Sequence, residues 1–433
     1  MQEIQTVPFW ILLPFAVQLL VIALAPLFAE HWWENNRNKL IVSLVLSVPI
    51  VIFMLMNGIF ERLEHQILFD YVPFIILLGS LFVVTGGIHL KGDIMAKPSV
   101  NTLFLTIGYV LASIMGTTGA AMLLIRPVLV TNAQRKFKVH TVLFFIAAVA
   151  NCGGLLTPLG DPPLFLLYLR GAGFTWFLNL LPEWLFTGVI LLAVYYAVDT
   201  YFFRKEEWQD ISADLREKTR IRIAGSVNFL FLLGIVLSVA FINSSYIPQM
   251  GEEHAPVWIK FLREIALLAM VAGSLIFTSK RVRKSNKFTW TPILEVAALF
   301  LGIFVTMTPA LLYLYQHAPS LGLHAAWQFY YSAGALSAFL DNAPTALAFH
   351  SVAQGLPAVP PLVAGIPEIL LKAISTGAVF FGAMTYIGNG PNFMVKAIAE
   401  ESGVKMPGFF AYMYKFSLIV LLPIYILVQL LFL

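Results

Sequence analysis

The chain has 433 residues, of which 59% are hydrophobic and only 12% charged; its formal net charge is +4 and its mean hydropathy is +0.83. A soluble domain carries about twice this fraction of charged residues, so the composition excludes a soluble globular protein. The single cysteine, Cys152, excludes an intrachain disulfide and a cysteine-based metal cluster. Long apolar runs, without short alternating segments, predict an all-α polytopic membrane protein.

Apolar runs of roughly twenty residues predict the membrane segments, which fall into two halves with the same order. The first half, 1–202, has spans at 7–29, 40–60 and 71–90, a hairpin at 101–132 with arms 101–115 and 119–132, a broken helix at 140–169, and a span at 175–202. A charged linker, 203–225, follows. The second half, 226–433, has spans at 226–247, 258–278 and 291–315, a hairpin at 326–356 with arms 326–340 and 343–356, a broken helix at 367–399, and a span at 408–433. The total is about ten full crossings plus two hairpins.

Basic residues predict the orientation of these segments, because loops rich in Lys and Arg stay in the cytoplasm. Basic residues cluster in 135–138, 204–222 and 280–287, whereas 243–257 and 316–326 contain no Lys or Arg. This distribution places both termini outside, in the periplasm, if each hairpin is re-entrant. Each half then has an odd number of crossings, and the halves are inverted relative to one another. The alternative, two ordinary crossings per hairpin, would put 135–138 on the wrong side.

The two predicted breaks have similar residues at equivalent positions. The first contains Gly-Asp-Pro-Pro at 160–163 and the second contains Gly-Asn-Gly-Pro at 388–391, with a threonine three residues before each glycine. A helix interrupted at mid-depth exposes carbonyls and half-helix ends that can hold an ion. An inert kink explains one such break, but two matching breaks in corresponding halves favour an ion site.

The hairpin tips supply further polar groups. Gly-Thr-Thr-Gly occupies 116–119 and Asp-Asn-Ala-Pro occupies 341–344. An ionisable residue inside a membrane segment marks an ion or proton path, which makes Asp341 the foremost candidate. Asp before a helix start is also a good N-cap, and both interpretations hold for Asp341 and Asp161. Burial favours the protonated carboxyl and a bound cation favours the ionised one, which is the chemistry of cation/proton exchange.

Other polar residues flank the breaks or tips and could complete a shell of hard oxygen ligands, which suit small cations. For the tip threonines, hydrogen bonding to their own helix is an alternative. The chain lacks a Gly-rich phosphate loop, zinc-ligand spacing and a nucleophile elbow, which argues against an enzyme or an ATP-driven pump. Its basic residues lie in short loops, which argues against nucleic-acid binding. The flanking candidates are Thr117, Thr118, Asn151, Thr157, Thr385, Asn389 and Asn392.

This arrangement resembles the ion transporter superfamily, which includes divalent-anion/sodium symporters, citrate transporters, arsenite permeases and NhaD-type sodium/proton antiporters. The segment Leu-Asp-Asn-Ala-Pro at 340–344 is similar to the Asp-Asn-x-Pro tip of the antiporter and arsenite branches. The carboxylate symporters carry Ser-Asn-Thr at each tip and Gly-Thr-Pro-Pro-Asn at each break, and this chain departs from both patterns.

The resemblance implies a homodimer in a bacterial-type inner membrane, with a mobile transport domain that works as an elevator. It also implies one ion site for each pair of tip and break, where Na⁺ and H⁺ bind the same residues. The first site would use Thr117, Thr118, Asn151, Thr157 and Asp161, and the second would use Asp341, Asn342, Thr385 and Asn389.

These observations predict a sodium/proton antiporter that requires no cofactor. Two acids at the site attract cations and repel a citrate-like anion, since like charges a few ångströms apart in a low dielectric cost several kcal/mol. The alternative is a sodium- or proton-coupled symporter of citrate or another carboxylate, in which bound cations neutralise both acids. A non-transporting membrane scaffold or enzyme would leave the duplicated breaks without a purpose.

Overall fold

The computed structural model describes residues 7–33, 35–207, 219–252 and 254–433, and most of these residues are helical. Within these ranges, eight helices are long and apolar enough to cross a membrane. Two further predicted crossings are shorter helices, Val227–Phe241 and Leu262–Phe277. The prediction of an all-α polytopic membrane protein is therefore confirmed.

The first half contains three leading helical spans, a pair of antiparallel arms, an interrupted helix and a long closing helix. A π-helical stretch, Ile67–Tyr71, joins the helices Phe60–Gln66 and Val72–Thr85 and makes them one continuous span. The helices are α1 Leu12–Phe28, α2 Glu30–Trp33, α3 Asn36–Met56, α4 Phe60–Gln66, α5 Val72–Thr85, α6 Pro98–Met115, α7 Thr117–Thr131, α8 Val139–Ala148, α9 Pro162–Leu169 and α10 Leu181–Phe203.

The second half follows the same order of elements. Its last span runs from the helix Phe409–Tyr412 through a π-helical stretch, Met413–Leu421, into the helix Leu422–Phe432. The helices are α11 Val227–Phe241, α12 Val257–Lys260, α13 Leu262–Phe277, α14 Lys280–Ser285, α15 Thr291–His317, α16 Ala326–Phe339, α17 Asn342–Gln354, α18 Glu368–Phe381, α19 Gly390–Glu401, α20 Phe409–Tyr412 and α21 Leu422–Phe432. The relative inversion of the two halves stays a prediction.

The predicted linker contains structure that the sequence did not indicate. Strand β2, Thr219–Ala224, pairs antiparallel with β1, His89–Asp93, which follows α5. A second small sheet pairs β3, Leu362–Val363, with β4, Ile366–Pro367. Residues 208–218 of the linker lie outside the described residues. The linker is therefore tied by main-chain hydrogen bonds to the first half.

Both predicted hairpins are present as packed pairs of arms. In the first, α6 and α7 are joined by Gly116 alone, which has φ +80° and ψ +150°. A positive φ of this kind favours glycine, which explains the residue at this turn. In the second, Leu340 and Asp341 separate α16 from α17, and both residues are extended or close to extended. The first hairpin begins three residues earlier than predicted.

The hairpins and interrupted helices pack crosswise in the centre of the molecule. Arm α7 of the first hairpin contacts α19 of the second interrupted helix, and arm α17 of the second hairpin contacts α9 of the first. Helices α1 and α3 lie on the outside, where apolar side chains such as Val45 are well exposed, as expected for a lipid-facing surface. The crossed packing brings both tips and both breaks together.

Candidate ion site at the crossing of the two halves

The first helix break follows directly from its residues. Helix α8 ends at Ala148, a 3₁₀ turn spans Cys152–Leu156, Thr157 is extended, and α9 starts at Pro162. Pro162 and Pro163 fit the first turn of a helix, where a backbone N–H has no partner in any case. Asp161 is extended, with φ −146° and ψ +144°, and directly precedes this turn.

The second break takes the same path. Helix α18 ends at Phe381, a 3₁₀ turn spans Gly382–Met384, Thr385 is extended, and α19 starts at Gly390. Asn389 has φ −153° and ψ +140°, nearly the values of Asp161. The two predicted breaks therefore exist and share one backbone conformation, with an acid at one position and an amide at the equivalent one.

In both breaks, two backbone segments approach so closely that glycine is required. A Cβ atom on Gly160 would collide with the carbonyl of Gly154, and one on Gly388 would lie 2.6 Å from the carbonyl oxygen of Gly382. Real Cβ atoms do not approach a backbone oxygen so closely. In each break, a glycine six residues after another glycine closes the loop.

The two break threonines tie each interruption to the neighbouring hairpin. The Thr157 hydroxyl donates to the backbone carbonyl of Ser113, and the Thr385 hydroxyl donates to that of Ala338. Each hydroxyl also accepts a backbone N–H: Leu159 N lies 3.2 Å from Thr157 Oγ1, and Gly388 N lies 3.1 Å from Thr385 Oγ1. Both predicted ligand threonines thus use their hydroxyls to hold the loop.

Serines in the hairpins make further hydrogen bonds to the interrupted helices, which the sequence did not predict. Ser113 Oγ donates to the Gly153 carbonyl at 2.5 Å and accepts from Leu156 N at 3.2 Å. Ser337 Oγ donates to the Ala378 carbonyl at 2.6 Å. The signal in the sequence is a serine near the end of the first arm of each hairpin, at 113 and 337.

Asp161 is the centre of the site. Its side chain is buried, with 1% of its surface exposed, and its carboxylate accepts three side-chain hydrogen bonds. Thr117 Oγ1 donates to Oδ1 at 2.8 Å, Asn389 Nδ2 donates to Oδ1 at 3.1 Å, and Asn342 Nδ2 donates to Oδ2 at 2.5 Å. These donors come from the first tip, the second break and the second tip. One carboxylate therefore joins both halves of the chain.

Amides extend this network behind Asp161. Asn389 Nδ2 also donates to Asn151 Oδ1 at 3.2 Å, and Asn151 Nδ2 donates to Asn392 Oδ1 at 2.6 Å. Asn392 Nδ2 in turn donates to the carbonyl oxygens of Gly382 and Thr385, at 2.7 and 2.9 Å. Asn392 was only a flanking residue in the sequence, yet it links the first break to the second.

Asp341 has a different environment. It is half-buried and caps α17, since its Oδ1 accepts from Ala343 N at 3.0 Å, and its carbonyl accepts from Thr345 Oγ1 at 2.9 Å. The helix-cap interpretation is confirmed. Asp341 shares no hydrogen bond with Asp161, although the two carboxylates are near enough to interact electrostatically. The role of Asp341 as an exchanging acid stays a prediction.

The structure groups the nine predicted site residues differently from the sequence. A single network contains five of them, in place of the two separate sites that were predicted, because the tips and breaks of both halves cross. Thr118 is half-buried, and its side chain makes no hydrogen bond within the described part of the chain. The five networked residues are Thr117, Asn151, Asp161, Asn342 and Asn389.

Two features make this network suited to a small cation or a proton. The donors to Asp161 are neutral, and no Lys or Arg side chain in the described ranges donates to it. Asn342 Oδ1 is buried and has no hydrogen-bond partner among the described residues, so an amide oxygen stands free beside the carboxylate. Helices α7, α9, α17 and α19 all begin here, and their positive N-terminal ends stabilise the carboxylate.

The fold and this site define a multi-pass membrane transporter built around two hairpins and two interrupted helices. Residues 4–433 match the family described as "Putative citrate transport", and the chain belongs to that family. This agrees with the resemblance to the ion transporter superfamily and its citrate transporters.

Three relatives are similar over much of the chain. A 46 kDa membrane protein of Mycobacterium leprae is 26% identical over 404 residues, which cover 86% of this chain and 88% of the relative. An uncharacterized transporter of Mycobacterium tuberculosis is 26% identical over 400 residues, with the same two coverages. The inner membrane protein YbiR of Escherichia coli is 23% identical over 286 residues, which cover 63% of this chain and 69% of that protein.

Proposed function

We propose that the protein is a secondary active transporter that exchanges sodium ions for protons at Asp161. The observation that carries this proposal is a buried carboxylate held by three neutral donors, without a partner cation in the described part of the chain. A buried ionised carboxylate is costly unless a counter-charge is nearby. A proton or a small cation supplies that counter-charge, and alternation between the two is antiport.

The ligand chemistry supports sodium as the cation. Carboxylate and amide oxygens are hard ligands, which suit small hard cations better than soft metals. The Asp161 carboxylate and the free Oδ1 of Asn342 provide two such oxygens from opposite halves of the chain. Within the described residues there is no group of three or more His, Cys, Asp or Glu side chains that could hold a metal ion.

The same contacts support an elevator mechanism. All members of the Asp161 network lie on the hairpins or the interrupted helices, and none lies on α1, α3, α5, α11, α13 or α15. The hairpins and interrupted helices can therefore move as one body without breaking the ion site. Placement in an inner membrane with both termini outside, and assembly as a homodimer, belong to the same proposal.

Cation-coupled symport of citrate or another carboxylate is the second candidate. It is favoured by the description of the family to which the chain belongs. A cation bound at Asp161 would remove the repulsion that the carboxylate exerts on an anionic substrate. In this case, citrate would enter proteoliposomes together with the coupling ion.

A flux assay with purified protein in proteoliposomes distinguishes the two candidates. We expect an inward sodium gradient to drive proton efflux in the absence of any carboxylate. We also expect Asp161→Asn to abolish this flux while the variant still folds, because an amide neither binds nor releases the proton. Sodium uptake that requires citrate would replace antiport by symport, and undiminished exchange in Asp161→Asn would reject Asp161 as the exchanging group.

A further inference from the structure

A cavity of about 410 Å³ lies at the far ends of two helices that start at the ion site. Arm α7 runs from Thr117 in the Asp161 network through Arg126 to Thr131, and α19 runs from Gly390 to Glu401. Arg126 is nine positions after Thr117, which is about 13 Å along a helix axis. The cavity is thus separate from the Asp161 network but is built on the same two helices.

Basic side chains dominate the charges of this cavity. Arg126, Lys138 and Lys287 line it together with a single carboxylate, Glu401. Lys287 Nζ lies 2.5 Å from Glu401 Oε1, so these two charges are paired. The Lys287 ammonium lowers the pKa of Glu401, which keeps that carboxylate ionised.

The other two cations have no carboxylate of their own. The Arg126 side chain makes no hydrogen bond or salt bridge within the described ranges and interacts with Glu401 only at a distance. Lys138 Nζ donates to the Ala133 carbonyl at 2.7 Å. Burial lowers the pKa of Lys138 even though Glu206 attracts its charge. The lining side chains therefore carry three positive charges and one negative charge, a net charge of +2.

Apolar side chains complete the lining of the cavity. Leu129 and Val130 contribute from α7, Ile398 contributes from α19, and Val404 contributes from the segment that follows α19. A lysine and an arginine on an open surface would need no partner, but here both face one recess.

We propose that this cavity binds an oxyanion, either a free polycarboxylate or the phosphate of an anionic lipid headgroup. The planar guanidinium of Arg126 can donate two parallel hydrogen bonds to one carboxylate or phosphate. The Lys138 ammonium adds a second positive charge on the same side of the anion. Because Lys287 precedes α15, outside the hairpins and interrupted helices, the occupant would also contact the boundary between the proposed mobile body and its surroundings.

Binding assays on purified full-length protein in nanodiscs test this proposal. Citrate binding is measured by calorimetry in phosphatidylcholine nanodiscs, and a lipid occupant is tested by comparing thermal stability with and without phosphatidylglycerol. The variants are Arg126→Gln and Lys138→Gln. Lys415→Gln is the matched control, since Lys415 is an exposed cation that does not line the cavity.

We expect either cavity variant to weaken citrate binding by about tenfold or more, the effect of losing one hydrogen bond to a charged group, or to remove most of the phosphatidylglycerol-dependent stabilisation. The control should behave as wild type. A citrate effect alone identifies a free anion and a phosphatidylglycerol effect alone identifies a lipid; both results support the site. Absence of both effects in wild type, or effects that survive in both variants, overturns the proposal. Neither outcome depends on sodium/proton exchange at Asp161, because no ion flux is measured.

Discussion

The two helix breaks are nearly identical as backbone and different as chemistry. Each uses a 3₁₀ turn, an extended threonine that donates to a hairpin carbonyl, and two glycines six residues apart. Each then presents one polar side chain in the same extended conformation before a proline-containing helix start. That side chain is Asp161 in the first break and Asn389 in the second.

This difference shows that the same backbone structure can occur twice while only one of the two copies carries an acidic residue. The second half supplies neutral donors, Asn389 and Asn342, to the carboxylate of the first half. A second acid at the position of Asn389 would place two like charges beside each other in a low-dielectric interior. The backbone of the break is therefore repeated in the two halves, whereas only the first break carries an ionisable side chain.

The largest expected effect on stability comes from adding a side chain at the close contact between two glycines in the first break. We expect Gly160→Ala to destabilise the protein by about 3 kcal/mol or more, because its Cβ collides with the backbone of Gly154, which cannot move aside as a flexible side chain can. Gly390→Ala is the matched control, since a Cβ on Gly390 meets no atom within 4 Å. Thermal unfolding in detergent measures both; equal stability of the two variants would contradict the role of Gly160.

A smaller effect is expected when the second break is made to resemble the first. We expect Asn389→Asp to cost about 2 kcal/mol through repulsion between its carboxylate and that of Asp161. The double variant Asp161→Asn with Asn389→Asp moves the charge to the other break and should recover much of the loss. Sodium should stabilise the single variant more than wild type. A double variant less stable than the single one would show that the two positions are not equivalent.

The smallest effect is expected at the second hairpin tip. Asp341→Ala removes the side-chain cap of α17 and should cost about 1 kcal/mol, whereas Asp341→Asn keeps a capping oxygen and should cost little. Proteoliposome flux of Asp341→Asn separates the cap from an ionic role. Retained exchange assigns Asp341 to capping alone, and lost exchange with unchanged stability makes it a second exchanging acid.

Much of the fold could be predicted from the sequence because its signals are local. Apolar runs of span length identified the helices, and Gly, Pro and polar residues inside those runs identified the breaks at Asp161 and Asn389. The cap at Asp341 also follows from local chemistry. The first tip was predicted at 116–119, whereas the turn consists of Gly116 alone and the second arm starts at Thr117. The strand pair between His89–Asp93 and Thr219–Ala224 was missed, because its strands are short and far apart in the chain.

The grouping of the site could not be predicted because it depends on packing between the halves. Asp161 is 181 residues from Asn342 and 228 residues from Asn389, and no local pattern reports such contacts. The resemblance to the ion transporter superfamily implied one ion site for each tip and the break of its own half, and therefore two sites. The crossed contacts of α7 with α19 and of α17 with α9 merge them into one.

The most direct test of the central claim is sodium-dependent proton release from purified protein in weakly buffered detergent solution. We predict that sodium addition releases protons from wild type, and that Asp161→Asn releases none while it remains folded. Proton release from Asp161→Asn equal to that of wild type would contradict the account.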